Sequence, residues 1–396
     1  MPTENEQGGV MRRRSAEHER VTYVELFFDL VFVFAVTQLS HLLLEHPTPL
    51  GVLQTAMLLS AVWWVWIDTS WVTNWLDPQT APVRMMLFGL MLAGLVLSTS
   101  IPTAFEARAL PFALAYVGMQ LGRSVFVLCA VRPHSPGAYL NFKRITAWAA
   151  LSAPLWIAGG LADEEARYLF WGAGLALDFA APATGFWTPW IGGSSTTEWD
   201  VEGHHLAERC ALFTIIALGE SILVTGVTFA RMEWSALTIT AAGTAFVGSI
   251  AMWWIYFNVG AEKGTERIAA SDDPGRLARL AYTYVHLLPI AGIIVAAVAD
   301  ELILAHPSGH TDLKTALAVL VGNALFLAGN LIFKRILFAR PALSHMIGLG
   351  LTALLAPAAA WLSPLALAMA GNAVLILVAA WETWSLHGVT EEEVEI

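Results

Sequence analysis

The chain has 396 residues, 57% of them hydrophobic and 13% charged, where a soluble globular domain carries about 25% charged residues. That composition excludes an ordinary soluble enzyme. The net charge of -11, much of it in tails and loops such as "EEEVEI" at 391–396, excludes a nucleic-acid binder.

The N-terminal tail, 1–20, has no apolar core. No cleaved leader is expected, and the first span doubles as the insertion signal. A helix needs about 20 apolar residues to cross the hydrocarbon. About twelve stretches qualify: 21–44, 50–73, 83–101, 109–131, 145–161, 167–184, 206–230, 235–258, 277–300, 313–333, 342–360 and 362–384. The fold class read from this is all-α, a polytopic transmembrane helix bundle. The fifth, sixth, eleventh and twelfth spans are short, rich in Pro and Gly, or nearly fused. Pro154, Pro289 and Pro357 fall inside spans and predict kinks, which neighbouring helices tolerate in a bilayer.

With the N-terminus in the cytoplasm, about sixteen Lys and Arg residues fall at cytoplasmic ends. About four, Arg108, Arg167, Arg231 and Lys314, fall outside. This orients a plasma-membrane protein with both termini cytoplasmic. Arg123 belongs to neither set, because it lies inside the fourth span.

Short matches recur at an offset of about 190 residues. Trp63–Trp64 in "SAVWWVWID" correspond to Trp253–Trp254 in "SIAMWWIYFN", "PVR" (82–84) to "PGR" (274–276), and Glu19–Arg20 to Glu208–Arg209. They divide the chain into a first six-helix repeat, 21–184, a cytoplasmic linker, 185–205, a second six-helix repeat, 206–384, and an acidic tail, 385–396. An even number of spans per repeat makes the repeats parallel.

Charged side chains inside a bilayer cost about 2.5–3.5 kcal/mol each at the helix centre on insertion scales, and they face the bundle interior. The candidate substrate- or ion-binding residues are therefore Glu25, Asp29, Arg123, Asp178, Glu220 and His286. Glu25 and Asp29 share one face of the first span, and Arg123 is the expected cation for them. Asp68, late in the second span, reads as a solvated helix end. Trp63, Trp64, Trp253 and Trp254 are deep enough to line a cavity and stack on a cation or ring, although packing against lipid serves them as well. His204 and Glu208 have i, i+4 spacing, but a zinc site needs further ligands. "HHLAER" reads as an interfacial helix start. No metal, cofactor or catalytic residue is assigned. Cys129 and Cys210, far apart in sequence, imply no disulfide framework.

"RVTYVELFFDLVFVFAVTQLSHLL" (20–43) and "HLAERCALFTIIALGESILVTG" (205–226) resemble the two hallmark segments of the bacterial low temperature requirement protein A family, over about residues 15–385. The resemblance implies a multi-pass membrane protein named for growth at low temperature, and no settled biochemical activity. "FFDLVFVFAVT" is also similar to the first-span pattern of the lysosomal potassium channel family. Phe28 stands at that motif's serine, and no filter role is carried across.

The expected function is a secondary transporter, with proton coupling through Asp29 and Glu220. Its partners are the bilayer and a small solute, ion or lipid. The alternatives are an ion channel, an intramembrane enzyme acting on a lipid-like substrate, and a non-catalytic scaffold. The enzyme reading lacks an aspartate-rich metal motif and a nucleophile elbow. Substrate, coupling ion and oligomeric state are not legible.

Overall fold

The computed structural model of the chain describes residues 9–12, 20–133, 135–199, 201–258, 267–268, 271–338 and 342–386. Most of the N-terminal tail, Asp200, Lys263, Arg340 and "EEEVEI" lie outside them. The described residues form twelve helices and no strand. These are α1 (Tyr23–Glu45), α2 (Pro49–Trp75), α3 (Ala81–Ser100), α4 (Ala109–Val131), α5 (Pro136–Leu161), α6 (Glu164–Ala183), α7 (Gly203–Ala230) and α8 (Ala236–Phe257), then α9 (Pro274–Ala305), α10 (Leu313–Phe338), α11 (Leu343–Ala358) and α12 (Pro364–Leu386). The protein is an all-α, polytopic transmembrane bundle. Nine of the described helices are long and apolar enough to cross a membrane, α12 among them; α5, α6 and α11 are not in that set.

The helix starts follow from local chemistry. The Thr48 hydroxyl accepts from Gly51 N–H, Ser135 from Ala138, Ser235 from Thr238 and Ser363 from Ala366; the Asp163 carboxylate accepts from Ala166 and Asp273 from Arg276. Each satisfies an orphan amide of the first turn. Pro49, Pro136, Pro274 and Pro364 follow their caps, where a missing N–H does no harm.

Two compact units divide the chain. Unit 1 comprises 1–209 and 272–279, and unit 2 comprises 210–271 and 280–396. Helices α7 and α9 each begin in unit 1 and continue in unit 2. In unit 1, α4 packs on α3 and α5, α5 on α6, and α1 on α2 and α3. In unit 2, α9 and α10 lie along each other, α11 covers α10, and α12 packs against α8.

Within α9 the backbone widens to a π-helix over Arg279–Val285, and the His286 N–H reaches back to the Ala281 carbonyl. The segment ends at Val285, four residues before Pro289, which has no N–H to return to that carbonyl. Pro154 lies inside α5, and Pro357 lies in the last turn of α11.

The linker region is an ordered loop. Gly185, Phe186, Trp190 and Gly192 take positive φ, and Arg144 donates to the carbonyls of Ile191 and Gly192, both at 3.0 Å.

Small residues bring α9 and α10 together. A Cβ on Gly292 would lie 2.5 Å from the Phe326 nitrogen, and one on Gly322 3.0 Å from the Ala296 nitrogen. Such backbone approach drives helix association where lipid is as apolar as the side chains. Gly292→Leu is therefore expected to destabilise unit 2 by about 1–3 kcal/mol or more, read as a lowered midpoint of thermal unfolding in detergent.

Candidate functional site

The two carboxylates on α1 are met by a histidine and an arginine at the same spacing on α7. His205 Nε2 lies 2.8 Å from Glu25 Oε1, and Arg209 Nη2 lies 2.9 Å from Asp29 Oδ1. Residues four apart on one helix thus face residues four apart on another, rung to rung, with both helices running the same way.

The lower rung is saturated. Glu25 is the third residue of α1, and its Oε2 accepts from the Thr22 N–H and hydroxyl, both at 2.8 Å. That is a helix-capping arrangement. Arg12 Nη1 stands 3.8 Å from Oε1. Arg12 itself donates to the carbonyls of Thr73 and Arg20, tying the chain before α1 to the end of α2.

The upper rung is different. Asp29 is 1% exposed and Arg209 0%. Asp29 Oδ1 also accepts from Trp66 Nε1 at 2.8 Å. Arg209 reaches the Ser70 hydroxyl through Nε and Nη2 at 3.4 and 3.3 Å. Its guanidinium lies 5.5 Å from the Trp66 ring and 5.9 Å from the Phe28 ring, within cation–π range. Asp29 Oδ2 and Arg209 Nη1 accept and donate no hydrogen bond among the described residues. Buried polar atoms are overwhelmingly satisfied in native proteins. Here one lone carboxylate oxygen and one guanidinium nitrogen sit in a single buried pair.

Arg123 is not the partner of the α1 acids, contrary to the sequence expectation. Its Nη1 donates to the Val65 carbonyl and Thr69 hydroxyl at 3.1 and 3.0 Å, and its Nη2 to Asp68 Oδ2 at 3.2 Å and to Gln120 Oε1. The reading of Asp68 as a solvated helix end is corrected with it. Asp68 is 29% exposed, and Arg123 and Gln120 hold it. On the same face of α4, the Tyr116 hydroxyl donates to Asp178 at 2.7 Å, and Trp156 Nε1 donates to the same oxygen at 3.0 Å. Unit 1 therefore carries a ribbon of polar groups from Asp178, past Asp68 and Arg123, to Thr69 and Ser70 and so to Arg209 and Asp29.

Unit 2 holds separate polar islands. His286 Nε2 lies 3.2 Å from both the Thr214 and Tyr256 hydroxyls. Lys334 Nζ lies 2.6 Å from Glu382, which His345 also approaches at 3.2 Å. Asp300 accepts from Ser221. Glu220 is buried in α7.

The tryptophan pairs differ in their surroundings. Trp63 and Trp64 are buried, with the Trp63 ring 5.1 Å from that of Trp66 and Trp64 stacked on Phe179 at 4.2 Å. Trp253 and Trp254 are 45% and 42% exposed. Trp254 edges an open apolar groove between α8 and α12 and donates to the Thr383 hydroxyl.

His205, Arg209, Arg12, Asp300, Lys334 and Glu382 are absent from the sequence-based set. The signal for the first two was present in "HHLAER": His205 and Arg209 repeat the spacing of Glu25 and Asp29. Among the described residues no group of three or more His, Cys, Asp or Glu is arranged to hold a metal.

The pattern that builds this ladder matches a known family. The model of the Bacterial low temperature requirement A protein (LtrA) covers residues 20–380. The chain belongs to the LtrA family. An uncharacterized protein of Rhizobium meliloti (strain 1021) is 39% identical over 374 residues, which span 94% of this chain and 91% of that one. No solved structure matches. Both rungs lie inside the LtrA match, α1 and α7 contributing one helix each.

Removing one member of a buried ion pair strands the other, at about 3–5 kcal/mol. Arg209→Gln is expected to lower the unfolding temperature more than the double variant Asp29→Asn/Arg209→Gln, in which no buried charge is left alone. A double-mutant cycle in detergent measures that difference directly.

Proposed function

We propose that the protein is a secondary transporter of the plasma membrane, with both termini cytoplasmic, that carries a proton together with a small organic anion by way of the Asp29–Arg209 pair. The observation that carries this is the half-used ion pair. A static structural pair in so buried a place gains by satisfying every lone pair and N–H. An exchanging pair needs capacity in reserve, and Asp29 Oδ2 and Arg209 Nη1 supply it. A carboxylate arriving at Arg209 replaces Asp29 as the partner of the guanidinium, and Asp29 takes up a proton to stay neutral in the low dielectric. When the solute leaves, Asp29 returns to Arg209 and releases the proton.

A charged surface pocket at the start of α1 accords with the same reading. A surface pocket of about 580 Å³ is lined by Arg20–Val24, Pro78, Gln79 and Arg84. It opens beside Thr22, the residue that caps α1 through Glu25, and its two arginines favour an anion. Arg123, Asp178, Glu220 and His286 enter the proposal as further buried proton or ion groups. The two parallel six-helix repeats, 21–184 and 206–384 about the linker 185–205, are proposed as the transporter's organisation, after the pattern of transporters built from repeats.

Proteoliposomes loaded with a pH-sensitive dye test this with succinate as the probe. The expected result is lumenal acidification on adding succinate, lost in Asp29→Asn and reduced at least tenfold in Arg209→Gln. Acidification at the wild-type rate in the Asp29→Asn/Glu220→Gln double variant would sink the proposal. So would a folded wild-type protein that moves neither protons nor succinate, which leaves the pair a static tie between helices.

A further inference from the structure

Asp300 lies in α9, five residues before its end, and is the single ionisable side chain lining a small cavity inside unit 2. Helices α7, α8, α9, α10 and α12 all contribute to the wall. The cavity measures about 30 Å³, room for a water molecule or two, or one monatomic ion. Its polar lining is all hard oxygen and amide: Asp300, Ser221, Ser249, Asn323 and Asn372. Ser221 Oγ lies 2.8 Å from Asp300 Oδ2 and 3.1 Å from Ser249 Oγ. Asn372 Nδ2 donates to the Thr244 carbonyl at 2.7 Å, so its oxygen is left on the side of Gly248.

Two glycines keep room for the two amides. A Cβ on Gly248 would stand 2.8 Å from Asn372 Oδ1, and a Cβ on Gly371 2.8 Å from Asn323 Nδ2. Asn323 and Asn372 lie ten and eight residues into α10 and α12, about 12–15 Å along each helix at about 1.5 Å per residue. That places both amides in the interior of helices long and apolar enough to cross a membrane.

We infer that this cavity binds one monovalent cation of sodium size, held by the Asp300 carboxylate, the Ser221 and Ser249 hydroxyls and the Asn323 and Asn372 amide oxygens. Oxygen ligands of this kind suit hard cations over soft ones. One carboxylate balances one positive charge, whereas a divalent ion leaves an uncompensated charge in the bilayer. As a coupling ion the cation rests on the transport reading. As a bound ion it does not, and the test reads binding alone.

The test is thermal unfolding of the purified full-length protein in detergent, in NaCl against choline chloride at equal ionic strength. A ligand that binds the folded state raises the midpoint with its concentration. The expected rise is about 2–4 °C, specific to Na⁺, absent in Asp300→Asn, reduced in Ser249→Ala and Gly248→Ala, and intact in Asp29→Asn. Equal midpoints in Na⁺ and choline for the wild type overturn the inference. So does a Na⁺-specific rise that persists in Asp300→Asn, or one that disappears equally in Asp29→Asn. If Asp300→Asn does not yield folded protein, an undiminished Na⁺ response in both Ser249→Ala and Gly248→Ala overturns it. Because transport is not measured, an inactive Asp29→Asn transporter that still responds to Na⁺ separates the two proposals.

Discussion

The structure of unit 1 turns on the problem of keeping charge in a medium that does not solvate it. Two carboxylates four residues apart on one transmembrane helix repel each other and lose their hydration. Matching them with His205 and Arg209 at the same spacing solves both difficulties with one helix–helix contact. The contact also fixes register. A slip of one residue between α1 and α7 rotates each side chain about 100° away from its partner, so the ladder specifies alignment as well as holding it.

The surroundings of the ladder follow from that requirement. Helix α2 is buried around most of its circumference, and its second half reads "DTSWVTN", which would be a poor sequence against lipid. Thr69 and Ser70 return their hydroxyls to the carbonyls of Val65 and Trp66, a common device inside apolar helices. They still receive Arg123 and Arg209 as donors. Trp66 presents its N–H to Asp29 and its ring to Arg209. The second half of α2 is thus polar because α1, α4 and α7 deliver charge to it. Unit 2 distributes its buried polar groups over separate sites: a Lys334–Glu382–His345 cluster, and His286 and Asp300 served by neighbouring hydroxyls.

Much of the architecture was legible in the sequence, because long apolar stretches and Ser/Thr/Asp–Pro starts are local signals. Nine of the twelve expected spans coincide with helices long and apolar enough to cross a membrane; α5 was drawn nine residues short, since its first turns, "PGAYLNFKR", are too polar to read as a span. The candidate acids were legible for the same reason, a charge being conspicuous among Leu and Phe. Pairing was not. Arg123 was the natural partner for Asp29 because it is the one arginine in the middle of an apolar span, whereas Arg209 is the seventh residue of α7 and reads as part of a polar helix start. Asp300 was overlooked in the same way, being close to a helix end. Distance along a helix says little about depth when neighbouring helices overhang that end.

The ladder joins residues 180 positions apart, and this separation bears on how the protein is made. Helix α1 leaves the ribosome long before α7. At synthesis rates of roughly 5–20 residues per second, Glu25 and Asp29 wait about 10–35 s for His205 and Arg209. During that interval Arg12 and the Thr22 cap are the partners that Glu25 has nearby, and Trp66 is the earliest for Asp29. A nascent chain stalled between α2 and α7 therefore holds an acid in the bilayer with one indole for company, which makes the first helix a natural client for whatever machinery shelters incomplete membrane proteins.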